Sequence, residues 1–203
     1  MPVKYIISFG AVWGGFELAW AIRNEILIQL GVNVNTGGDS PVYIDALSLK
    51  DDKDTTYPWS EEYGIFKMQN PNWETFFKKA MSEAKCMIFI ITEPWLKSKW
   101  CLQEFEWFKK SVHLAGIFIV YPEAETIISQ SLTTKVGLSK IQIDDLDQVI
   151  NHSTHKKITV SECFVEHIPG FVEVKGKSYH YEYKYALGPR EMILLRQQLI
   201  MIK

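Results

Sequence analysis

The sequence has few cysteines and almost no net charge. Its 203 residues include three cysteines, Cys86, Cys101 and Cys163, and carry a formal net charge of -2. Three scattered thiols exclude a disulfide framework, and they lack the paired spacing of a zinc site. A charge this small, with no polybasic run, provides no field that would attract nucleic acid or a membrane surface. We therefore expect reduced thiols, no metal and no nucleic-acid partner.

Long apolar runs and a secretory leader are also missing. No window approaches the roughly 18 uninterrupted apolar residues that a membrane-spanning helix needs. The first residues, MPVKYII, lack a basic leader and a small-residue cleavage site. The composition, 47% hydrophobic and 23% charged, is that of an ordinary soluble protein. We therefore expect a cytoplasmic protein without a membrane partner, forming one domain over residues 1–203 with a core over about 1–160 and an extension over 161–203.

The common nucleotide-binding and catalytic motifs are absent too. Gly10, Gly14 and Gly15 follow an apolar segment, but they do not have the Gly-x-Gly-x-x-Gly spacing, and no Gly-Lys-Ser/Thr marks a phosphate loop. The five histidines include no His-x-x-x-His pair, and no Ser-His-Asp arrangement can be located. These patterns therefore indicate neither a bound cofactor nor a metal.

What the sequence does contain is an alternation of short apolar strands and helices. Continuous apolar runs predict buried strands, and apolar residues at helical spacing predict helices. The predicted strands are 5–9, 42–44, 86–91, 116–121 and 158–160, and the predicted helices are 16–30, 73–84, 100–113 and 190–202. This order predicts an α/β fold with a doubly wound, flavodoxin-like parallel sheet.

Other segments give weaker patterns. Residues 123–148 predict a short helix and a loop, while 171–174 and 179–185 alternate in the manner of a β-hairpin. Residues 50–70 form a long polar and aromatic loop, in which Trp59 and Tyr63 could cover a bound base. A mobile loop or an assembly surface is an equal interpretation of that segment.

The most distinctive stretch is SKWCLQEF at residues 98–105, which begins a helix after an apolar strand. It places Glu104 among large hydrophobic residues at the carboxyl edge of the predicted sheet, where open α/β sheets bind ligands. An arbitrary helical glutamate is more often exposed and paired with a lysine. Glu106, two residues further on, should project from a different part of the helix.

This stretch resembles the Ser-x-Trp-Cys-x-x-Glu-Leu signature of TIR (Toll/interleukin-1 receptor) domains, closest to the plant and bacterial forms. The segments 5–9 and 42–49 are similar to the first strand of that family and to its second strand with the start of the BB loop. The resemblance covers roughly residues 1–160 and implies the TIR fold. Gly10 departs from the arginine common there, the BB loop is longer than usual, and the hairpin is additional.

The resemblance implies one of two functions. Some TIR domains cleave the nicotinamide–ribose bond of NAD+ with a glutamate, which the signature places at Glu104; NAD+ is then the substrate, and no separate cofactor is implied. The products would be nicotinamide and either ADP-ribose or a cyclic ADP-ribose signalling nucleotide. The chain also resembles stand-alone bacterial TIR proteins of the Thoeris anti-phage type. That resemblance further implies homo-oligomers through TIR–TIR contacts and a separate effector that the nucleotide product activates. The alternative is a non-catalytic adaptor module that binds other TIR domains.

The predicted site surrounds the catalytic residue Glu104. The residues predicted to bind substrate lie near the strand ends and on the signature helix: Ser8, Phe9, Gly10, Trp13, Asp45, Leu49, Trp100 and Cys101. Trp100 and Phe9 could equally belong to the core, and Asp45 could hold a ribose hydroxyl or cap a turn. Retention of Glu104 favours the enzyme, whereas Gly10 in place of arginine favours the adaptor.

Overall fold

A parallel sheet forms the centre of the computed structural model, which describes residues 2–10, 14–35, 40–44, 73–161, 169–174, 177–182 and 185–202. The strands are β1 (Tyr5–Phe9), β2 (Val42–Tyr43), β3 (Cys86–Ile91), β4 (Ala115–Val120) and β5 (Lys156–Thr159). They lie in the order β2-β1-β3-β4-β5, and each neighbouring pair is parallel. This is the flavodoxin-like order, so the predicted fold class is confirmed.

Helices cover both faces of the sheet. In chain order they are α1 (Gly15–Gln29), α2 (Trp73–Glu83), α3 (Glu93–Lys97), α4 (Lys99–Lys109), α5 (Pro122–Ser129), α6 (Thr133–Val136), α7 (Lys140–Ile150) and α8 (Pro189–Met201). The bounds of α1, α2 and α8 agree with the predicted ones to within one residue. The helix expected over 100–113 is α4, which ends four residues earlier than predicted.

Two helical regions differ from the prediction. Residues 123–148, expected as a short helix and a loop, lie in the region of three helices, α5, α6 and α7. The last of these begins with a capping box in which Ser139 and Gln142 satisfy each other's backbone N–H groups. Between β3 and α4 lies the short helix α3, which the sequence pattern did not predict and which is capped by Thr92. A helix of five residues such as α3 is defined by its cap more than by apolar periodicity, which explains why the pattern missed it.

The sheet residues alternate between two cores because successive side chains point to opposite faces. One core joins Phe89 and Phe118 to the inner sides of α2, α4, α5 and α7; these two rings stack at 4.8 Å. The other joins Ile88 and Ile119 to α1 and α8. Burial on both faces accounts for the continuous apolar runs of β3 and β4.

The C-terminal residues include the predicted hairpin and the closing helix. Strands β6 (Pro169–Val174) and β7 (Lys177–Glu182) pair antiparallel, each beginning two residues before its predicted start. Helix α8 buries Leu195 and Leu199 in the core it shares with α1. The guanidinium of Arg196 donates to both carboxylate oxygens of Glu25 on α1, at 2.7 and 2.9 Å. Within the parts of the chain described above, no helix is long and apolar enough to cross a membrane.

Candidate functional site

Glu104 lies inside the protein beside the carboxyl end of β1. Its side chain projects from α4 and is only 5% exposed. The hydroxyl of Ser8 donates a hydrogen bond of 2.5 Å to its Oε2 atom. Ser8 is itself 1% exposed. The interpretation of Glu104 as an exposed, lysine-paired glutamate is therefore wrong.

Glu106, on the same helix, lies at the surface. Its side chain is 49% exposed, and its carboxylate lies 2.8 Å from Nζ of Lys109. The same lysine also pairs with Asp145 on α7. Two glutamates with the same chemistry are thus separated by helical geometry into a buried position and a surface position.

Trp95 completes a hydrogen-bonded chain behind Glu104. Its indole N–H donates to the Ser8 hydroxyl at 2.9 Å, and the side chain is fully buried. The rings of Phe89 and Phe105 meet it edge to face at 6.0 and 6.1 Å. The sequence prediction gave Trp95 no role. A tryptophan placed directly after a buried strand was the available signal, because a buried indole N–H usually has a partner.

Two helix caps set the positions of these side chains. Thr92 caps α3 by accepting from the backbone N–H of Trp95 at 3.2 Å. Ser98, the first residue of the signature, caps α4 by accepting from the backbone N–H of Cys101 at 3.3 Å. Such caps satisfy N–H groups that a helix leaves without internal partners. The signature serine therefore fixes where α4 begins and, through that start, which face carries Glu104.

Cys101 and Phe9 join the same strand end. The Cys101 thiol donates to the backbone carbonyl of Phe9 at 3.4 Å, and the side chain is 5% exposed. The Phe9 ring is partly buried, with its centroid 6.2 Å from that of Phe16. The structure thus brings Ser8, Phe9 and Cys101 together around Glu104. Their contact with a substrate stays a prediction.

Gly10 is in a position with no space for a side chain. A Cβ there would lie 2.8 Å from the backbone nitrogen of Trp95 and 3.1 Å from Pro94. A Cβ at Gly15 would lie 1.8 Å from the carbonyl oxygen of Gly10. Packing of α3 against the end of β1 therefore excludes the arginine that the family often carries. Gly10 has this structural explanation and does not by itself favour an adaptor.

Trp100 lies at the surface. Its side chain is 52% exposed, and Nζ of Lys99 sits 4.8 Å from the ring centroid. The interpretation of Trp100 as a core residue is therefore wrong. It precedes Glu104 by four residues, which places both on one side of α4 with Trp100 nearer the carboxyl edge of the sheet. That position suits a residue at the entrance to a site, and its substrate contact stays a prediction.

The remaining predicted residues cannot be placed. Trp13, Asp45 and Leu49 lie outside the described residues, as do Trp59 and Tyr63. Among the residues that are described, no group of three or more His, Cys, Asp or Glu side chains is arranged to hold a metal ion. The functional groups in the described part of this edge are the buried carboxylate of Glu104 and the Ser8 hydroxyl that donates to it.

Comparison with known proteins gives one curated relative. Over 135 residues the chain is 36% identical to the 3′ cyclic ADP-D-ribose synthase HopAM1 of Pseudomonas syringae pv. tomato (strain ATCC BAA-871 / DC3000). The match covers 65% of this chain and 49% of HopAM1, so the chain spans about half the length of that relative. No protein-family model matches.

A solved structure, the TIR domains of the activated Roq1 resistosome that directly recognises the pathogen effector XopQ, is 17% identical to this chain. The match covers 76% of this chain and 87% of the other, with a TM-score of 0.39, which is too low to bear on fold or function.

The sequence signature, the sheet and the relative agree with one another. The segment 98–105 matches the signature in order, and its glutamate is turned inward at the edge where ligands bind in such sheets. The parallel order β2-β1-β3-β4-β5 is the layout that the resemblance implied. Together with 36% identity to HopAM1 over 135 residues, these features support the resemblance of the chain to TIR domains.

Proposed function

We propose that this chain is a TIR domain that cleaves the bond between nicotinamide and ribose in NAD+. The observation that carries the proposal is the buried Glu104 carboxylate, held by Ser8 at the carboxyl edge of the sheet. The activity in the name of HopAM1 supports it, because a cyclic ADP-ribose is the ADP-ribosyl part of NAD+ closed on itself after nicotinamide has left.

A single carboxylate suits this reaction. Nicotinamide departs as a neutral molecule because its ring is cationic in NAD+, so no general acid has to protonate the leaving group. The breaking bond leaves positive charge on the ribose, spread over C1′ and the ring oxygen. A fixed carboxylate stabilises that charge, and it does so more strongly where water is excluded. We assign this role to Glu104, whereas an ordinary glycosidase uses two carboxyl groups.

The second half of the reaction determines the product. If water attacks C1′, the product is ADP-ribose and a proton is released. If a hydroxyl of the ADP-ribose itself attacks, the product is a cyclic nucleotide, again with release of one proton. We propose cyclisation as the finer assignment, and its support is the name of HopAM1 alone.

The test is incubation of the purified protein with NAD+, with nicotinamide measured by chromatography and the nucleotide product by mass spectrometry. The wild type should release nicotinamide, and Glu104→Ala should not. A cyclic product is one water lighter than ADP-ribose, so the same run distinguishes cyclisation from hydrolysis. Release that is unaffected by Glu104→Ala contradicts the role of Glu104. No release at any protein concentration contradicts the enzyme and favours the adaptor.

Self-association through TIR–TIR contacts also belongs to this proposal. Its support is the family resemblance, in which association often completes the site. The assay should therefore span a range of protein concentrations, and specific activity should rise with concentration. A separate effector activated by the nucleotide, an anti-phage role and a cytoplasmic location come from the resemblance and stay predictions.

A further inference from the structure

We infer that Ser8 and Trp95 are positioning residues for the reaction, acting through Glu104. This inference rests on the proposed NAD+ cleavage. Its basis is the chain of hydrogen bonds from the Trp95 indole to the Ser8 hydroxyl at 2.9 Å, and from that hydroxyl to Oε2 of Glu104 at 2.5 Å. All three side chains are at most 5% exposed.

The direction of both hydrogen bonds follows from the chemistry of the groups. An indole N–H can only donate, so the Ser8 oxygen must accept from Trp95. The hydroxyl has one proton of its own, and the carboxylate oxygen is the acceptor within reach. Trp95 therefore orients the Ser8 hydroxyl so that its proton points at Glu104. A donor to a charged acceptor forms one of the stronger hydrogen bonds found in proteins.

Rigid elements hold both donors in place. Ser8 lies in β1, which pairs with strands on both sides, and its partner across the ladder to β3 is Phe89. The ring of Phe89 in turn packs edge to face against Trp95. Phe89 therefore supports both hydrogen-bond donors, Ser8 and Trp95. Donors fixed in this way do not need to reorganise as charge develops during a reaction. The carboxylate is thus oriented before any substrate binds.

The same hydrogen bonds could instead only stabilise the fold. Buried polar networks often do so, and removing one partner leaves the others without hydrogen bonds. The two roles differ in what they change. A purely structural role lowers thermal stability without a specific effect on the folded enzyme, whereas a positioning role lowers kcat in protein that is still folded. Its effect also depends on the presence of the Glu104 carboxylate.

The experiment compares kcat and KM for NAD+ in Ser8→Ala, Ser8→Thr and Trp95→Phe, with folding checked by circular dichroism. Ser8→Ala should lower kcat on the order of 10- to 100-fold with KM little changed, because a displaced carboxylate costs rate more than binding. Ser8→Thr keeps the hydroxyl and should restore most of kcat. Trp95→Phe should lower kcat by less, and it carries the test if Ser8→Ala does not fold.

Ser40→Ala is the matched control. Ser40 is also a buried serine, 3% exposed, whose hydroxyl donates to the Val42 carbonyl at 2.8 Å. It lies just before β2, at the opposite edge of the parallel sheet from Glu104. Its removal should change thermal stability but leave kcat at the wild-type value.

A double-mutant cycle with Glu104→Gln decides whether Ser8 acts through the carboxylate. If it does, Ser8→Ala should have a much smaller effect on the residual rate of Glu104→Gln than on the wild type. Wild-type kcat in Ser8→Ala, or the same fold-loss in both backgrounds, overturns the inference while leaving the proposed function intact. Failure of the wild type to release nicotinamide overturns the proposed function and this inference with it.

Discussion

At the scale of single residues, the main contrast is between two glutamates on one helix. Glu104 and Glu106 are separated by two positions, about 200° around the helix axis. The first is buried and accepts from Ser8, while the second is exposed and paired with Lys109. Sequence pattern alone predicted that they would diverge, because helical spacing is regular. It did not identify Ser8 as the partner of Trp95, since that contact joins residues 87 positions apart.

Gly15→Ala should destabilise the protein. Alanine is normally preferred in a helix by about 1 kcal/mol, but the added Cβ would lie 1.8 Å from the carbonyl oxygen of Gly10. That oxygen belongs to the backbone and cannot move alone, so we expect a net loss of about 1–3 kcal/mol in unfolding free energy. Chemical denaturation measures it. A variant as stable as the wild type contradicts the close packing of Gly10 and Gly15.

Trp100→Ala should affect substrate binding more than stability. The side chain is 52% exposed, so the unfolding free energy should change by no more than about 0.5 kcal/mol. If the ring stacks on NAD+, its loss should raise KM on the order of 10-fold. Ile141→Ala is the control, an apolar side chain 80% exposed on α7. Equal KM values for the two variants would contradict the predicted contact between Trp100 and NAD+.

At the scale of elements, the accuracy of the prediction depended on how each element is stabilised. β3 and β4 are buried on both faces, and such strands appear in the sequence as continuous apolar runs. Helices α3 and α6 are only five and four residues long, so apolar periodicity could not define them. The absence of a side chain at Gly10 was visible in the sequence. Its cause, the approach of α3, required the three-dimensional structure.

His155, directly before β5, should make stability depend on pH. Burial, and to a lesser extent the nearby His152, lower the pKa of His155 below its ordinary 6.5. Its ring contacts Phe108 on α4 and Phe118 on β4. Between the lowered pKa and 6.5 the unfolded chain binds more protons than the folded one. The stabilisation is thus fully present above pH 6.5 and is lost as pH falls through the lowered value.

Thermal unfolding between pH 7.5 and 5.5 (about one unit either side of the ordinary histidine value) measures this effect. The wild-type Tm should fall across that range, and the fall should be smaller in His155→Gln. His113→Gln, at the surface, is the matched control and should keep the wild-type pH dependence. Carboxylates with lowered pKa, such as Glu191, titrate below 4.5 and act in a separate range. An unchanged pH dependence in His155→Gln would contradict the account.

At the scale of the whole molecule, the parallel sheet brings the site together. Parallel strands end at one edge, so Ser8 on β1 meets residues that follow β3 although they are 87 to 96 positions away. The sequence predicted this edge because it predicted a doubly wound parallel sheet. The way in which the protein binds NAD+ remains a prediction, because Trp13, Asp45 and Leu49 lie outside the described residues. The central claim therefore concerns the catalytic carboxylate.

The most direct test of that claim is the rate of nicotinamide release by Glu104→Gln and Glu106→Gln beside the wild type. Both substitutions convert a carboxylate on α4 to a neutral amide of the same size. The two side chains differ in burial, since Glu104 is buried and Glu106 is exposed. Glu104→Gln should lose on the order of 10²–10³-fold or more in kcat, because it removes the charge that stabilises the transition state. Glu106→Gln should keep the wild-type rate. Equal rates for the two variants, or a greater loss in Glu106→Gln, would contradict the account.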